Sequence, residues 1–185
     1  MILPIYIYGQ PVLKQVAAEI PRDYEGLAEL VDNMWETMYN AHGVGLAAPQ
    51  IGKSVRMFLV DTEQLEDEES DHQGIKKVFI NAEKIEETGE HWEYEEGCLS
   101  IPDIRGDVSR RENLRIRYYD LDWQLHEEEF DGINARVIQH EYDHIDGVLF
   151  VEHLKPLKRR MIQRRLDSMR KGILKAEYAV RVLGK

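Results

Sequence analysis

The chain has 185 residues, 43% of them apolar, enough for one sizeable core, and without an internal repeat or long low-complexity linker it reads as a single catalytic domain over 1–185. Its 35 acidic against 24 basic side chains leave a net charge of -11, which argues against general affinity for DNA. No apolar run approaches the ~20 residues that cross a bilayer, and no basic-then-apolar leader follows Met1, so the expectation is a soluble cytoplasmic protein with no membrane partner.

A helix is predicted from about Tyr24 to Asn40, where Leu27, Val31, Met34 and Met38 recur at helical spacing. The run GVGLAAPQ (Gly43 to Gln50) follows. Alone it reads as a helix-to-strand turn with small core residues, and it is no phosphate loop because Lys and Ser/Thr are missing from the required places. Strands are predicted at Val55 to Val60, Lys77 to Ile80 and His91 to Tyr94, with an acidic stretch from Glu63 to Asp71 read as a lengthened loop.

Cys98, the single cysteine, lies in EGCLSIPDIRG. It can make no internal disulfide, which fits a reducing cytosol and leaves the thiol free for a metal or for catalysis. A lone cysteine is usually a small buried hydrophobe. Here Gly97 allows close backbone approach and Pro102 breaks regular pairing, so the stretch is a place to hold a ligand. Glu96 and Arg105 flank it as candidates to orient the loop or to contact substrate.

Two more strands, Leu114 to Tyr119 and Gln124 to Phe130, precede a helix that opens after Asp131, a candidate N-cap, and stops at Gly147. The helix carries HEYDH. Residues four apart share one helical face, so His140 and His144 can chelate one divalent metal while Glu141 leans over the same point as a base for water. Ile133 and Val137 continue that stripe upstream, which makes it the wall of a lined pocket rather than a solvated surface. The remaining histidines, His42, His72, His91, His126 and His153, have no such spacing and read as surface or hydrogen-bonding residues. Arg110 is a candidate brace for Asp143 behind the site.

A catalytic site needs a third ligand and an open position. A metzincin would place a third histidine where Phe150 stands, and a thermolysin-like site would need Glu177 from a basic tail. Cys98 is the remaining candidate. From Lys155 to Lys175 nine Lys or Arg residues meet one acid, Asp167, while Ile162, Leu166, Met169 and Ile173 share one face. This predicts a basic amphipathic helix at about 155–178. The element order suggests an α+β fold, mainly antiparallel sheets packed around a central metal-binding helix, with N-terminal and C-terminal helices.

Together GVGLAAPQ, EGCLS (Glu96 to Ser100) and QHEYDH (Gln139 to His144) resemble peptide deformylase, in that family's order and approximate separation, and the opening ILPIYIYGQPVLKQVA resembles its N-terminal segment. Ile145 stands where many members have Leu. The resemblance implies a metal-dependent amidase that removes the formyl group from N-formyl-methionyl peptides. It implies ligation by Cys98, His140 and His144, with Fe(II) in cells and Zn, Ni or Co accepted. It further implies Glu141 as general base then general acid, and the Gln50 side-chain amide and Leu99 backbone N–H as donors to the oxyanion. The glycines beside Val44 would let a peptide pair at Gly45 as an added strand, with Val44, Ile133, Val137 and Tyr94 walling a methionine pocket and Glu96 close by. The basic helix would either dock on the ribosome or only pack its apolar stripe and leave its cations in solvent. An ordinary metallopeptidase, or a ribosome-binding module with a structural metal, are the other function classes to be separated from this one.

Overall fold

The computed structural model describes residues 1–66 and 73–183. Along the chain come β1 (Ile5–Tyr6), α1 (Leu27–Asn40), β2 (Gly45–Ala47), β3 (Met57–Asp61), β4 (Lys76–Cys98), β5 (Ile101–Tyr119), β6 (Leu125–Asp131), α2 (Gly132–Ile145), α3 (Pro156–Arg170) and β7 (Val180–Arg181). Strands β2 to β6 form one antiparallel sheet in chain order, and β1 pairs in parallel with β7. The fold is α+β with mainly antiparallel pairing, as expected. Of the acidic stretch, Glu63–Leu65 form a short 3-10 turn; 67–71 and His72 lie outside the described residues.

Three helices cover the sheet with different apolar stripes. On α2, Ala135, Ile138, Tyr142 and Ile145 pack against Phe58, Val60, Phe79, Leu114 and Ile116. On α1, Val31, Met34 and Met38 meet Leu46, Met57 and Leu59. Ile162, Leu166 and Met169 of α3 close a further cluster with Ile101, Ile104 and Val108. Each fully buried side chain of this size contributes about 1.5–3 kcal/mol relative to exposure. On α2 the buried stripe leaves His140 and His144, two residues round from Ile138, directed away from this contact and toward the end of β4.

Two predicted strands merge into one, the strand expected from Leu114 begins at Ile101, and the basic helix stops short. The segments Lys77 to Ile80 and His91 to Tyr94 belong to one 23-residue strand. From Glu83 to Glu95 no residue of it is buried, so the apolar alternation that marks a strand is missing, and pairing with β5 across several register shifts carries it instead. The basic helix ends at Arg170 rather than near residue 178. Gly172 takes φ +74, and the Gly172 and Ile173 N–H groups donate back to Met169 and Ser168, which satisfies the last carbonyls and turns the chain away. Ile173, expected on the apolar face, lies past this stop and is 67% exposed. The tail then runs on to β7. At the head of α2, Asp131 holds the N-cap position without a side-chain cap bond.

Candidate metal centre

Two elements from distant parts of the chain meet at the site. His140 and His144 sit one turn apart on α2 with ring centroids 5.1 Å apart. Cys98 is the last residue of β4, at a two-residue turn (Leu99, Ser100) into β5. Past this turn the pairing slips, Gly97 opposing Arg105 while Cys98 opposes Ile101, so residues 102–104 bulge from the ladder.

Ligand atoms of Cys98, His140 and His144 all lie within 4.8 Å of one another. Cys98 Sγ is 3.3 Å from His144 Nε2, close to the ~3.5 Å that tetrahedral bonds of about 2.0–2.3 Å to a shared ion produce. His140 Nδ1 is fixed 2.9 Å from Glu96 Oε2, which leaves its other ring nitrogen for the centre. One thiolate and two imidazoles are a fitting donor set for a borderline-soft divalent metal.

Glu96 anchors a buried network behind the ligands. Its carboxylate accepts from Arg110 Nε at 2.7 Å, Arg110 Nη2 at 3.1 Å and Arg136 Nη1 at 3.0 Å, as well as bonding His140. Burial raises its pKa, but hydrogen bonds from His140 and Arg110 outweigh this and hold the carboxyl well below the usual carboxylate range. The sequence offers Glu96 either as a brace for the cysteine loop or as a substrate contact; its two oxygens face three cationic or imidazole partners, His140 among them, and the residue also lines the cleft. Arg110 also donates to Asp143 Oδ2 at 2.8 Å, the brace read from the sequence, and His153 Nε2 lies 2.8 Å from the same oxygen.

Glu141 is 4% exposed, and its Oε2 has no hydrogen-bond partner among the described residues. Burial pushes its carboxyl up to about 7. A cation beside it would draw that value back down. A buried carboxylate oxygen left unpaired costs free energy unless something outside the chain meets it, and water held at the centre is the natural partner. Gln50, 1% exposed, is locked by its own backbone: Ala47 N–H donates to its Oε1 at 2.8 Å, and its Nε2 reaches Ser100 Oγ at 3.2 Å and Cys98 Sγ at 3.4 Å.

The centre opens into a cleft of about 820 Å³. Val44, Gly45, Tyr94, Glu96, Leu99 and Val137 line it. Ile133 does not: it lies a full turn closer to the start of α2, beyond the point where Arg136 and Val137 close the wall. Arg136 was missed from the sequence. Its guanidinium lies 4.4 Å from the Trp92 ring centroid and 5.8 Å from that of Tyr94, a cation stacked under the aromatic wall. Tyr178, also missed, lines the cleft from the C-terminal tail and donates to Leu99 O at 2.7 Å. No local pattern announces either residue.

A family model described as polypeptide deformylase matches residues 2–160. The peptide deformylase of Christiangramia forsetii is 53% identical over 98% of this chain and 96% of that protein, and that of Cytophaga hutchinsonii 53% identical over 98% and 97%. The crystal structure of a peptide deformylase from Legionella pneumophila superposes with a TM-score of 0.80 at 37% identity, covering 92% of this chain and 96% of that one.

Proposed function

The chain belongs to the polypeptide deformylase family, metal-dependent hydrolases that remove the N-formyl group from newly made peptides, and on that premise we propose that Cys98, His140 and His144 hold its ion and that Glu141 carries the proton. The observation that carries this reading is the unpartnered, buried Glu141 oxygen beside three converging donors. Fe(II) is the proposed ion in cells, with Zn, Ni or Co as substitutes, since the thiolate–imidazole set suits all four. When bound, such an ion lowers the pKa of water from about 15.7 to roughly 7 and polarises the formyl carbonyl.

The chain's own groups do the rest. Glu141 accepts the proton of the attacking water and returns it to the departing amine, a base turned acid. Gln50 Nε2 and the Leu99 N–H donate to the oxyanion as the carbonyl becomes tetrahedral, and one such donor is typically worth about 3 kcal/mol. The peptide lies along the free edge of β2. Asp61 N–H donates to Val44 O, so by the alternation of an antiparallel ladder Gly45 turns its N–H and C=O away from β3, available to an extended peptide. Val44, Tyr94 and Val137 then wall the methionine side chain, with Arg136 behind them.

Among the described residues no helix is long and apolar enough to cross a membrane. We place the enzyme in the cytoplasm, where a lone ligand thiol stays reduced, as one catalytic domain. Its further partner is proposed to be the ribosome, met by the exposed cations of α3.

The test is release of formate from a formyl-methionyl peptide by the wild type and by Glu141→Gln, with metal content measured in both. Retained metal with activity lowered about 10²–10⁴-fold is expected. Equal rates would remove Glu141 from the mechanism, and cleavage of internal bonds in unformylated peptides would favour an ordinary metallopeptidase.

A further inference from the structure

The turn that follows the cysteine is held from outside the sheet. Leu99 and Ser100 join β4 to β5 in a two-residue hairpin, a connection that favours positive φ at one or both central residues. Neither Leu99 nor Ser100 has positive φ. The turn is therefore in a geometry that does not match the twist of its own strands, and its two carbonyls point to partners elsewhere. Tyr8 N–H donates to Ser100 O at 2.9 Å, and the Tyr178 hydroxyl donates to Leu99 O at 2.7 Å. Gln50 Nε2 adds a third hold on the Ser100 hydroxyl.

Tyr178 belongs to a tail that lies past the last residue, 160, matched by the family model. The tail is fixed at both ends. Behind it the α3 cap turns the chain at Gly172; ahead of it Ile5 N–H and Ile7 N–H donate to Ala179 O and Arg181 O at 2.9 and 3.0 Å. Between these anchors Lys175, Ala176, Glu177 and Tyr178 form part of the cleft wall. Leu99 thus has the tail on one side and the cleft on the other.

We infer that Tyr178 is a positioning residue for deformylation: its hydroxyl pins the Leu99 carbonyl, which fixes Leu99 ψ and so the turn on which the Leu99 N–H and the Cys98 ligand are carried. This rests on the proposed use of the Leu99 N–H as an oxyanion donor. Without the pin the turn relaxes toward geometries its strands prefer, and a donor meant to meet a developing charge drifts from its place. Small displacements of that kind are felt in the chemical step more than in binding.

The test compares wild type, Tyr178→Phe and a protein with 4-aminophenylalanine at position 178, each loaded with the same metal. In Tyr178→Phe kcat should fall roughly tenfold with KM within about twofold, metal content and melting midpoint being unchanged. The amino analogue, which can donate to the same carbonyl, should recover most of the loss. Hydrogen exchange at the Leu99 and Ser100 amides should quicken in Tyr178→Phe whether or not substrate is turned over. An unchanged kcat, a loss of metal or of stability in step with activity, no recovery by the amine, or unaltered exchange would each overturn the inference. An inactive wild type whose Leu99 and Ser100 amides still respond to Tyr178→Phe would instead count against the assigned reaction while leaving the clamp standing.

Discussion

Gly45 and Glu141 touch so closely that a side chain at position 45 has no room: a methyl group there would fall 2.7 Å from the Glu141 carboxyl carbon and 2.8 Å from its Cγ. Glycine at this point serves the carboxylate as much as the peptide edge. Gly45→Ala should therefore push Glu141 off its line to the centre. We expect kcat to drop about 100-fold with bound metal unchanged, as a displacement near 1 Å can produce. Steady-state kinetics beside metal analysis decide this, and activity within twofold of wild type would show that Glu141 has slack.

Metal uptake should release protons. Burial works against a charge on His140, yet its hydrogen bonds to Cys98 and Glu96 raise its pKa well above the ordinary value and so favour a proton on the ring of the metal-free chain. An ion must displace it. Affinity for Zn(II) or Ni(II) should weaken as pH falls, with roughly one proton or more released per ion near pH 7. Calorimetry in two buffers of different ionisation enthalpy measures the number, and a value near zero would contradict the assignment.

Acid should loosen the fold through Glu96 and Asp143. Burial raises both pKa values, but His140 and Arg110 for the first, and His153 and Arg110 for the second, pull them below their ordinary values. A depressed folded pKa means that the stabilisation is present above the usual carboxylate range and is lost as pH drops toward the folded value. Through these two carboxylates urea midpoints should decline as pH falls below about 5. Glu96→Gln leaves buried Arg136 without its counter-charge and Arg110 with Asp143 alone, so it should cost about 3–5 kcal/mol at neutral pH and flatten the acid limb. A variant as stable as wild type at pH 7 would mean the two arginines find other partners.

Ribosome docking can be tested on α3 alone. Lys158, Arg159, Arg160 and Arg164 are exposed there, whereas Arg165, also on that helix, donates to Asp103 O at 2.5 Å and is better left intact. Replacing the four exposed cations with Gln should weaken co-sedimentation with ribosomes at low salt. It should also reduce the slope of log affinity against log salt by about 0.7–0.9 for each phosphate no longer neutralised. Binding indifferent to the substitutions would leave α3 as a packing element only.

The residues that can be read from local spacing are those that share an element. His140, Glu141 and His144 announce themselves because a helix repeats every 3.6 residues, and Cys98 follows by being the single thiol. Glu96 is visible beside the cysteine, but its bonds to Arg110, Arg136 and His140 are not, since those partners arrive from two other elements. Arg136, within the stripe-bearing helix, carries no signal in the sequence, because the aromatic rings over it come from β4. Tyr178 had no chance of being found: a tyrosine in a charged tail says nothing about a carbonyl 79 residues away. The fold class followed from element order, while strand lengths did not, because β4 beyond Glu83 is held by its backbone ladder and carries no buried stripe.

The pairing of β1 with β7 sets a clock on biosynthesis. Ile5 leaves the ribosome early and must wait for Val180 before its edge is matched, a delay on the order of ten seconds at common translation speeds. A nascent copy that has made Cys98 and both imidazoles but not Tyr178 lacks the fastening of its Leu99 turn. The Leu99 turn thus matures only when a segment 79 residues further along the chain has been made, and truncations after Arg170 should lack its fastening permanently.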